Sequence, residues 1–217
     1  IQKRIIIMNS KMVLIVLSVH LFLNFTYLQA TTYFIDYENG DDNNSGTSIS
    51  SPFKHCPGDI NSQSKASNVI LKPNDIVKFK GSVQYKGKID IKWSGNKNEY
   101  ITYDGNSTNT WGKGKAHINL QLEYSHAFYA RSKNYIIIKN FDIYNAVTQS
   151  KGYRGIIFNQ RGKNWLIENC IISKVSKWKT AFPDNVAINL YDNGTENVVI
   201  NNCEFYALGR TIINLFR

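Results

Sequence analysis

The chain has no CxxC pair, no second long apolar run after its first thirty residues, and no helical periodicity between residues 119 and 217. Each absence excludes something. Cys56, Cys170 and Cys203 are the only cysteines; an odd number makes no disulfide framework, and without a CxxC pair a structural zinc site has no support. His55, His117 and His126 are scattered, with no ligand spacing. The longest apolar run, Met12 to Leu23, falls short of the roughly twenty residues that span a bilayer. Acidic residues are few as well, 16 Asp and Glu against 26 Lys and Arg.

The first thirty residues read as a secretion signal. Lys3, Arg4 and Lys11 form its basic end, Met12 to Leu23 its apolar run, and Leu28-Gln29-Ala30 its cleavage site. The sequence opens on Ile rather than Met, so the expectation is a translated frame with residues upstream of a start at Met8 or Met12. Removing Lys3, Arg4 and Lys11 from the 26 cations leaves 23 against 16 anions, a net charge of +7. An exported basic protein meets acidic partners such as uronate or sulfated glycans. Export separates it from nucleic acid, and no membrane segment remains after cleavage. The expected location is secreted, extracellular or periplasmic.

A repeat is present. Ile138-Lys139-Asn140-Phe141, Ile167-Glu168-Asn169-Cys170 and Ile200-Asn201-Asn202-Cys203 are one phrase, with the Asn residues 29 and then 33 positions apart. A unit this short, built only of strands, cannot bury its own apolar face and must stack on copies of itself. The predicted coils are three short parallel strands each. They run over 127–143, 155–172 and 186–205, with a further strand opening at Thr211. Asn suits the tight corner between second and third strands because it tolerates left-handed backbone. Its stacked amides can also bond coil to coil. Cys170 and Cys203 share one repeat position. Stacked strands would hold them about 4.8 Å apart, wider than the Cβ separation of about 3.8 Å that a disulfide prefers. They read as a thiol stack, neither bonded nor a metal site.

Upstream, Thr32 to Asp36 reads as a strand and Glu38 to Ser51 as a polar loop. Residues 57–68 hold the one candidate helix. Val69 to Leu71, Ile76 to Phe79, Ile89 to Trp93 and Tyr100 to Tyr103 read as strands. Residues 81–88 and 106–117 read as turn and loop. The organisation is a signal over 1–30, a cap with irregular first coils over 31–125, and regular coils over 126–217.

These coils resemble right-handed parallel β-helix repeats of the pectate-lyase-like superfamily. The stretch Tyr33-Phe34-Ile35-Asp36, Asn39-Gly40-Asp41-Asp42-Asn43-Asn44-Ser45-Gly46-Thr47 and Ser51-Pro52-Phe53-Lys54 is similar to the opening strand and cap of secreted bacterial polysaccharide lyases of the alginate lyase and chondroitinase B type. Asp75 to Gly81, Tyr85-Lys86-Gly87 and Tyr100 to Gly105 are similar to the coils that follow. The resemblance implies an all-β, right-handed, single-stranded parallel β-helix, a monomer at full length, with further coils after Arg217. It leaves the cofactor unknown, calcium being one that the resemblance allows. In that family the catalytic Lys and Arg and the calcium-binding acidic cluster lie in middle coils, and no residue here matches them, so the catalytic residues stay unknown. The cap residues Asp36, Asp41, Asp42, Asn43 and Asn44 have oxygen ligands suited to calcium but lack the EF-hand spacing; a hydrogen-bonded turn is the preferred reading.

A site would lie on the first strand of each coil and the loop before it. Alternation places Ile156, Phe158, Ile188, Leu190, Ile213 and Leu215 inward, and Ile157, Asn159, Asn189, Tyr191, Asn214 and Phe216 outward. The candidate substrate-binding residues are Arg154, Lys177, Trp178, Asn189, Tyr191, Arg210 and Asn214. Cations would pair carboxylates, Asn would bond hydroxyls, and Trp178 or Tyr191 would stack on a sugar ring; a merely solvated loop is the competing reading. The expected function is a polysaccharide lyase cleaving a uronate-containing glycan by β-elimination. The alternative is a non-catalytic glycan-binding or surface-adhesion β-helix. A hydrolase would need two carboxylates, and the outward strand positions read here carry Asn, with only Asp184 and Asp192 nearby.

Overall fold

The computed structural model describes residues 29–146, 155–174, 186–208 and 211–216. Sixteen short strands and one helix are set within these residues. In chain order they are β1 (Thr32–Ile35), α1 (Ser64–Asn68), β2 (Ile76–Phe79), β3 (Gln84–Lys86), β4 (Ile89–Ile91), β5 (Ile101–Asp104), β6 (Ala116–Asn119), β7 (Phe128–Arg131), β8 (Ile136–Lys139) and β9 (Phe141–Tyr144). There follow β10 (Gly155–Gln160), β11 (Lys163–Glu168), β12 (Ile171–Ser173), β13 (Val186–Tyr191), β14 (Glu196–Asn201), β15 (Glu204–Tyr206) and β16 (Thr211–Phe216). Every pair of neighbouring strands is parallel, and the strands fall into three sheets in rotation. The first sheet is β4-β7-β10-β13-β16, the second β1-β2-β5-β8-β11-β14, and the third β3-β6-β9-β12-β15. This is a parallel β-helix. Among the described residues no helix is long and apolar enough to cross a membrane.

The interior is a set of stacked columns. Along the second sheet Tyr33, Val77, Tyr103, Ile138, Ile167 and Ile200 lie in register. Along the third, Tyr85, Ile118, Ile143, Ile172 and Phe205 do the same. Along the first, Ile89, Phe128, Ile157, Ile188 and Ile213 form the matching column. Burying like on like at one strand spacing gives a continuous apolar core with no second layer to cover it. Trp165 is buried within it and donates its indole N–H to the Lys133 carbonyl at 2.8 Å.

The Asn corner is as read from the repeat. Asn140, Asn169 and Asn202 have φ of 63°, 51° and 46°, the left-handed region in which Asn is tolerated better than most residues. Their side chains form a ladder. Asn140 Nδ2 donates to the Gly105 carbonyl at 2.7 Å, Asn169 Nδ2 to Asn140 Oδ1 at 2.6 Å, and Asn202 Nδ2 to Asn169 Oδ1 at 3.4 Å. Gly105 fills the same corner one coil earlier. A Cβ there would sit 2.2 Å from the Asn140 carbonyl oxygen, so no side chain fits.

Three local readings are corrected. Gln84–Lys86 and Ala116–Asn119, read as turn and loop, are strands of the third sheet. They are short and polar on one face, so alternation alone does not reveal them. Val69 to Leu71 is not a strand. On β10 the inward and outward sets are exchanged: Ile157 and Asn159 share columns with inward Phe128 and Ala130, while Phe158 shares one with outward Tyr129. A slip of one residue flips every side chain, and Ile156-Ile157-Phe158 is apolar throughout, so its pattern does not mark the face. Asn159 is tolerated inside because its amide closes a turn, accepting from Gly162 N at 2.8 Å and donating to the Gly162 carbonyl at 3.2 Å.

The cap is a hydrogen-bonded knot. Asp42 accepts from His55 N and Nδ1, both at 2.8 Å, and from Gln63 N at 2.9 Å, tying the loop to the start of α1. Asp36 accepts from the backbone N–H groups of Glu38 and Asn39 and from Lys80 Nζ at 2.7 Å. Burial pushes the Asp36 carboxyl up, but the Lys80 ammonium and the Asn39 N–H groups together hold it below the usual range. These carboxylates are used within the turn. Among the described residues no three His, Cys, Asp or Glu side chains are placed to share an ion.

Candidate functional site on the first sheet

The outer face of the first sheet carries two columns. One runs Asp90, Tyr129, Phe158, Asn189, Asn214; the other includes Arg131, Gln160 and Tyr191. Parallel in-register strands set these positions one strand spacing apart, so side chains meet their equivalents on the next coil. Tyr129 and Phe158 stack with ring centroids 5.3 Å apart and planes within 9°, and Tyr191 continues the stack 6.1 Å from Phe158. His126 packs against Tyr129 at 5.2 Å. Beyond the aromatics, Asn214 Nδ2 donates to Asn189 Oδ1 at 3.3 Å. The face thus passes from a carboxylate through an aromatic platform to paired amides, with the exposed guanidinium of Arg131 alongside.

Charge at one rim is internally paired. Arg161 contacts Asp192 Oδ2 through both Nε and Nη2 at 2.8 Å. The Asn193 backbone N–H and then the Arg161 guanidinium hold the Asp192 carboxyl below its ordinary value. That carboxylate serves a structural corner. At the other rim Lys88 Nζ lies 3.6 Å from Asp90 Oδ1.

Of the seven candidate residues, Asn189, Tyr191 and Asn214 fall on this face in one block of β13 and β16. Tyr191 and Asn214 are half-buried. Asn189 is fully buried, so it acts as a rung beneath the surface rather than as a direct contact. Arg154, Lys177, Trp178 and Arg210 lie outside the described residues. Tyr129, Phe158, Arg131, Gln160 and Asp90 join the face without having been singled out by alternation. A signal for them exists, since Phe158 follows Tyr129 by 29 positions, the same step that separates Asn140 from Asn169.

A second polar array lies on the outer face of the third sheet. His117 Nδ1 is 3.1 Å from Asp142 Oδ2 on the next coil, and Gln84 Nε2 donates to the Tyr144 hydroxyl at 2.7 Å. Lys174 Nζ sits 5.8 Å from the centre of the Tyr144 ring.

The fold and this face define a β-helix with a polar, aromatic flank. No protein-family model matches the sequence, and no curated protein does. Solved structures do match. The chain is similar to a GH136 lacto-N-biosidase from Eubacterium ramulus, with a TM-score of 0.54, 15% identity, and 88% of this chain aligned to 37% of that one. A native structure of the same enzyme aligns with the same score and identity over 84% of this chain and 36% of that one. A rhamnogalacturonan lyase aligns at a TM-score of 0.46 and 13% identity, over 82% of this chain and 52% of that one. At 15% identity the biosidase likeness supports the β-helix fold and nothing beyond it. The chain spans little more than a third of the biosidase's length.

Proposed function

We propose that this chain binds an extended polysaccharide along the outer face of its first sheet, and that the protein is a secreted polysaccharide lyase acting on a uronate-containing glycan. The observation that carries the reading is the pair of half-buried rings Tyr129 and Tyr191, aligned by the buried Phe158 stacked between them, beside the exposed Arg131. A ladder rising one strand spacing per coil presents its groups along a line, which suits a polymer better than a compact ligand. Aromatic faces stack on the apolar faces of sugar rings, and a guanidinium pairs a carboxylate in two parallel bonds. The net charge of +7 left after removal of the signal's Lys3, Arg4 and Lys11 favours an anionic chain. The biosidase likeness is consistent with glycan chemistry on this scaffold, although a fold alone does not fix an activity.

β-Elimination needs a base to remove the proton next to the uronate carboxylate and a cation to stabilise the anion that forms. Arg131 is suited to the second role on the described face. The base is not assigned. The alternative, a glycan-binding β-helix without catalysis, is favoured by one observation: Arg161 is already committed to Asp192.

Digests of alginate, pectate and chondroitin should show the ultraviolet absorbance of an unsaturated product if elimination occurs. Binding without that absorbance selects the adhesion reading. In either case Arg131→Ala should weaken binding to an acidic glycan by roughly tenfold, the loss of one charge-assisted pair. It should leave a neutral glycan unaffected. Equal affinity of wild type and variant for every acidic glycan would remove the first sheet as the binding face.

A further inference from the structure

The cap holds a cavity of about 390 Å³, lined by the loop residues Asp41 and Asp42, by Lys54 and His55, and by Ser64 at the start of α1. Its histidine is fixed in place. His55 Nδ1 lies 2.8 Å from Asp42 Oδ2. A carboxylate only accepts, so the proton of the neutral ring sits on Nδ1 and the lone pair on Nε2. The Asp42 side chain is held in turn by the backbone N–H groups of His55 and Gln63, at 2.8 and 2.9 Å. Tyr37 packs edge-on against the imidazole, with ring centres 5.5 Å apart. The ring makes no other hydrogen bond among the described residues, which leaves Nε2 for a ligand.

Ser64 is exposed on the same cavity, and its φ of 49° sets it in left-handed backbone. That conformation is costly for an L residue, and strain of this kind gathers at functional positions. Its hydroxyl bonds to nothing among the described residues. We propose that Ser64, His55 and Asp42 act as nucleophile, general base and orienting carboxylate in the hydrolysis of an uncharged carboxylic ester, an activity separate from glycan binding on the first sheet. Such a triad is defined by roles and geometry rather than by fold. Two carboxylates against one ammonium in the lining disfavour an anionic substrate but not a neutral one. Lys54 Nζ, 5.4 Å over the Tyr37 ring, supplies the cation for the oxyanion that forms. Ser64 Oγ and His55 Nε2 are not hydrogen-bonded to each other; nucleophile–base pairs are often looser before substrate binds.

The chemistry balances in two steps. Ser64 Oγ attacks the acyl carbon and its proton passes to His55 Nε2. The bond from the acyl carbon to the alcohol oxygen breaks, and the alcohol leaves with that proton. Water then attacks the acyl-serine, giving a proton to Nε2. The acyl–Oγ bond breaks, Ser64 recovers the proton and the acid departs. Ester and water have become acid and alcohol.

The test gives the full chain p-nitrophenyl acetate and, separately, a fluorophosphonate that labels activated serines, followed by mass mapping. Free imidazole cleaves the acetate slowly, so the urea-unfolded chain sets the baseline. The expected result is hydrolysis above that baseline and a single label on Ser64. Ser64→Ala should lower kcat/KM at least roughly hundredfold, and adding His55→Gln should lower it no further, because the members of a triad act as a unit. Ser64→Ala removes a hydroxyl with no partner, so its thermal melt should match wild type; this keeps the test independent of folding even if His55→Gln loosens the cap. Hydrolysis no faster than baseline, full activity in Ser64→Ala, or a label on another serine would overturn the proposal.

Discussion

The corner between the second and third strands and the outer face of the first sheet belong to the same coils, yet they are built on opposite rules. At the corner three successive coils repeat the same residue, Asn140, Asn169 and Asn202, because backbone geometry and the amide ladder favour it. On the face the residue changes along the column, from Asp90 to Tyr129, Phe158, Asn189 and Asn214. Sameness at a repeat position marks what the solenoid needs in order to stack. Variation at a position held in equally strict register marks a column whose residues stacking does not dictate, with Phe158 and Asn189 buried and Tyr129 and Asn214 half-buried.

The difference can be broken from the structural side first. Trp165→Ala should cost about 3–5 kcal/mol, the range for emptying a large buried aromatic site, with the Lys133 carbonyl losing its donor as well. A urea melt measures it. Asn169→Ala should cost about 2–3 kcal/mol. It deletes one ladder donor and one acceptor and puts a Cβ-bearing residue without compensating bonds at positive φ. Asn169→Gly separates the two contributions, since glycine relieves the backbone but not the ladder; if both variants lose equal stability, the ladder dominates.

Asp59 tests the edge of the first sheet, where it pairs across from Ile89. Burial raises its carboxyl to about 6, with Asp42 and Asp90 adding to the effect and the Asn61 N–H and His55 opposing it. A carboxyl with a raised folded value binds its proton more tightly in the native state. Its contribution is therefore present below about 4 and is lost as pH rises through about 6. Asp59→Asn should raise stability at pH 7 by on the order of 2 kcal/mol and flatten that slope. Thermal melts between pH 4 and 7 decide it; an unchanged slope would show that Asp59 is not the group responsible. Tyr103→Phe should be smaller still, a gain of about 1 kcal/mol, because the buried Tyr103 hydroxyl has no hydrogen-bond partner among the described residues. From the face side, Arg131→Ala should change stability by less than about 0.5 kcal/mol. Its effect belongs to binding alone.

Several elements are legible from residue order and type. The Asn phrase marks the repeat, the corner and the strand order of the later coils, because a residue chosen for left-handed backbone leaves a visible trace. The cap loop is legible as a turn through its Asp, Asn and Gly content. The strands Gln84–Lys86 and Ala116–Asn119 are not, because three or four residues carry too little alternation. Alternation misplaces Phe158 because its neighbours Ile156 and Ile157 are apolar on both sides of the strand. On the outer face of the first sheet, the positions of Asn189, Tyr191 and Asn214 follow from alternation on β13 and β16, where polar and apolar residues do alternate.

By itself the sequence determined that short strands must stack into a solenoid, where its corners turn, and that its surface is cationic. Those properties follow from residue type and spacing along one chain. Only the tertiary structure decided which residues share a column: that Tyr129 stacks on Phe158, that Asn189 lies beneath the surface, and that Lys115 reaches the corner beside Cys170 and Cys203. Column membership depends on register between coils some thirty residues apart. A one-residue slip in any strand changes it, and local sequence does not fix it.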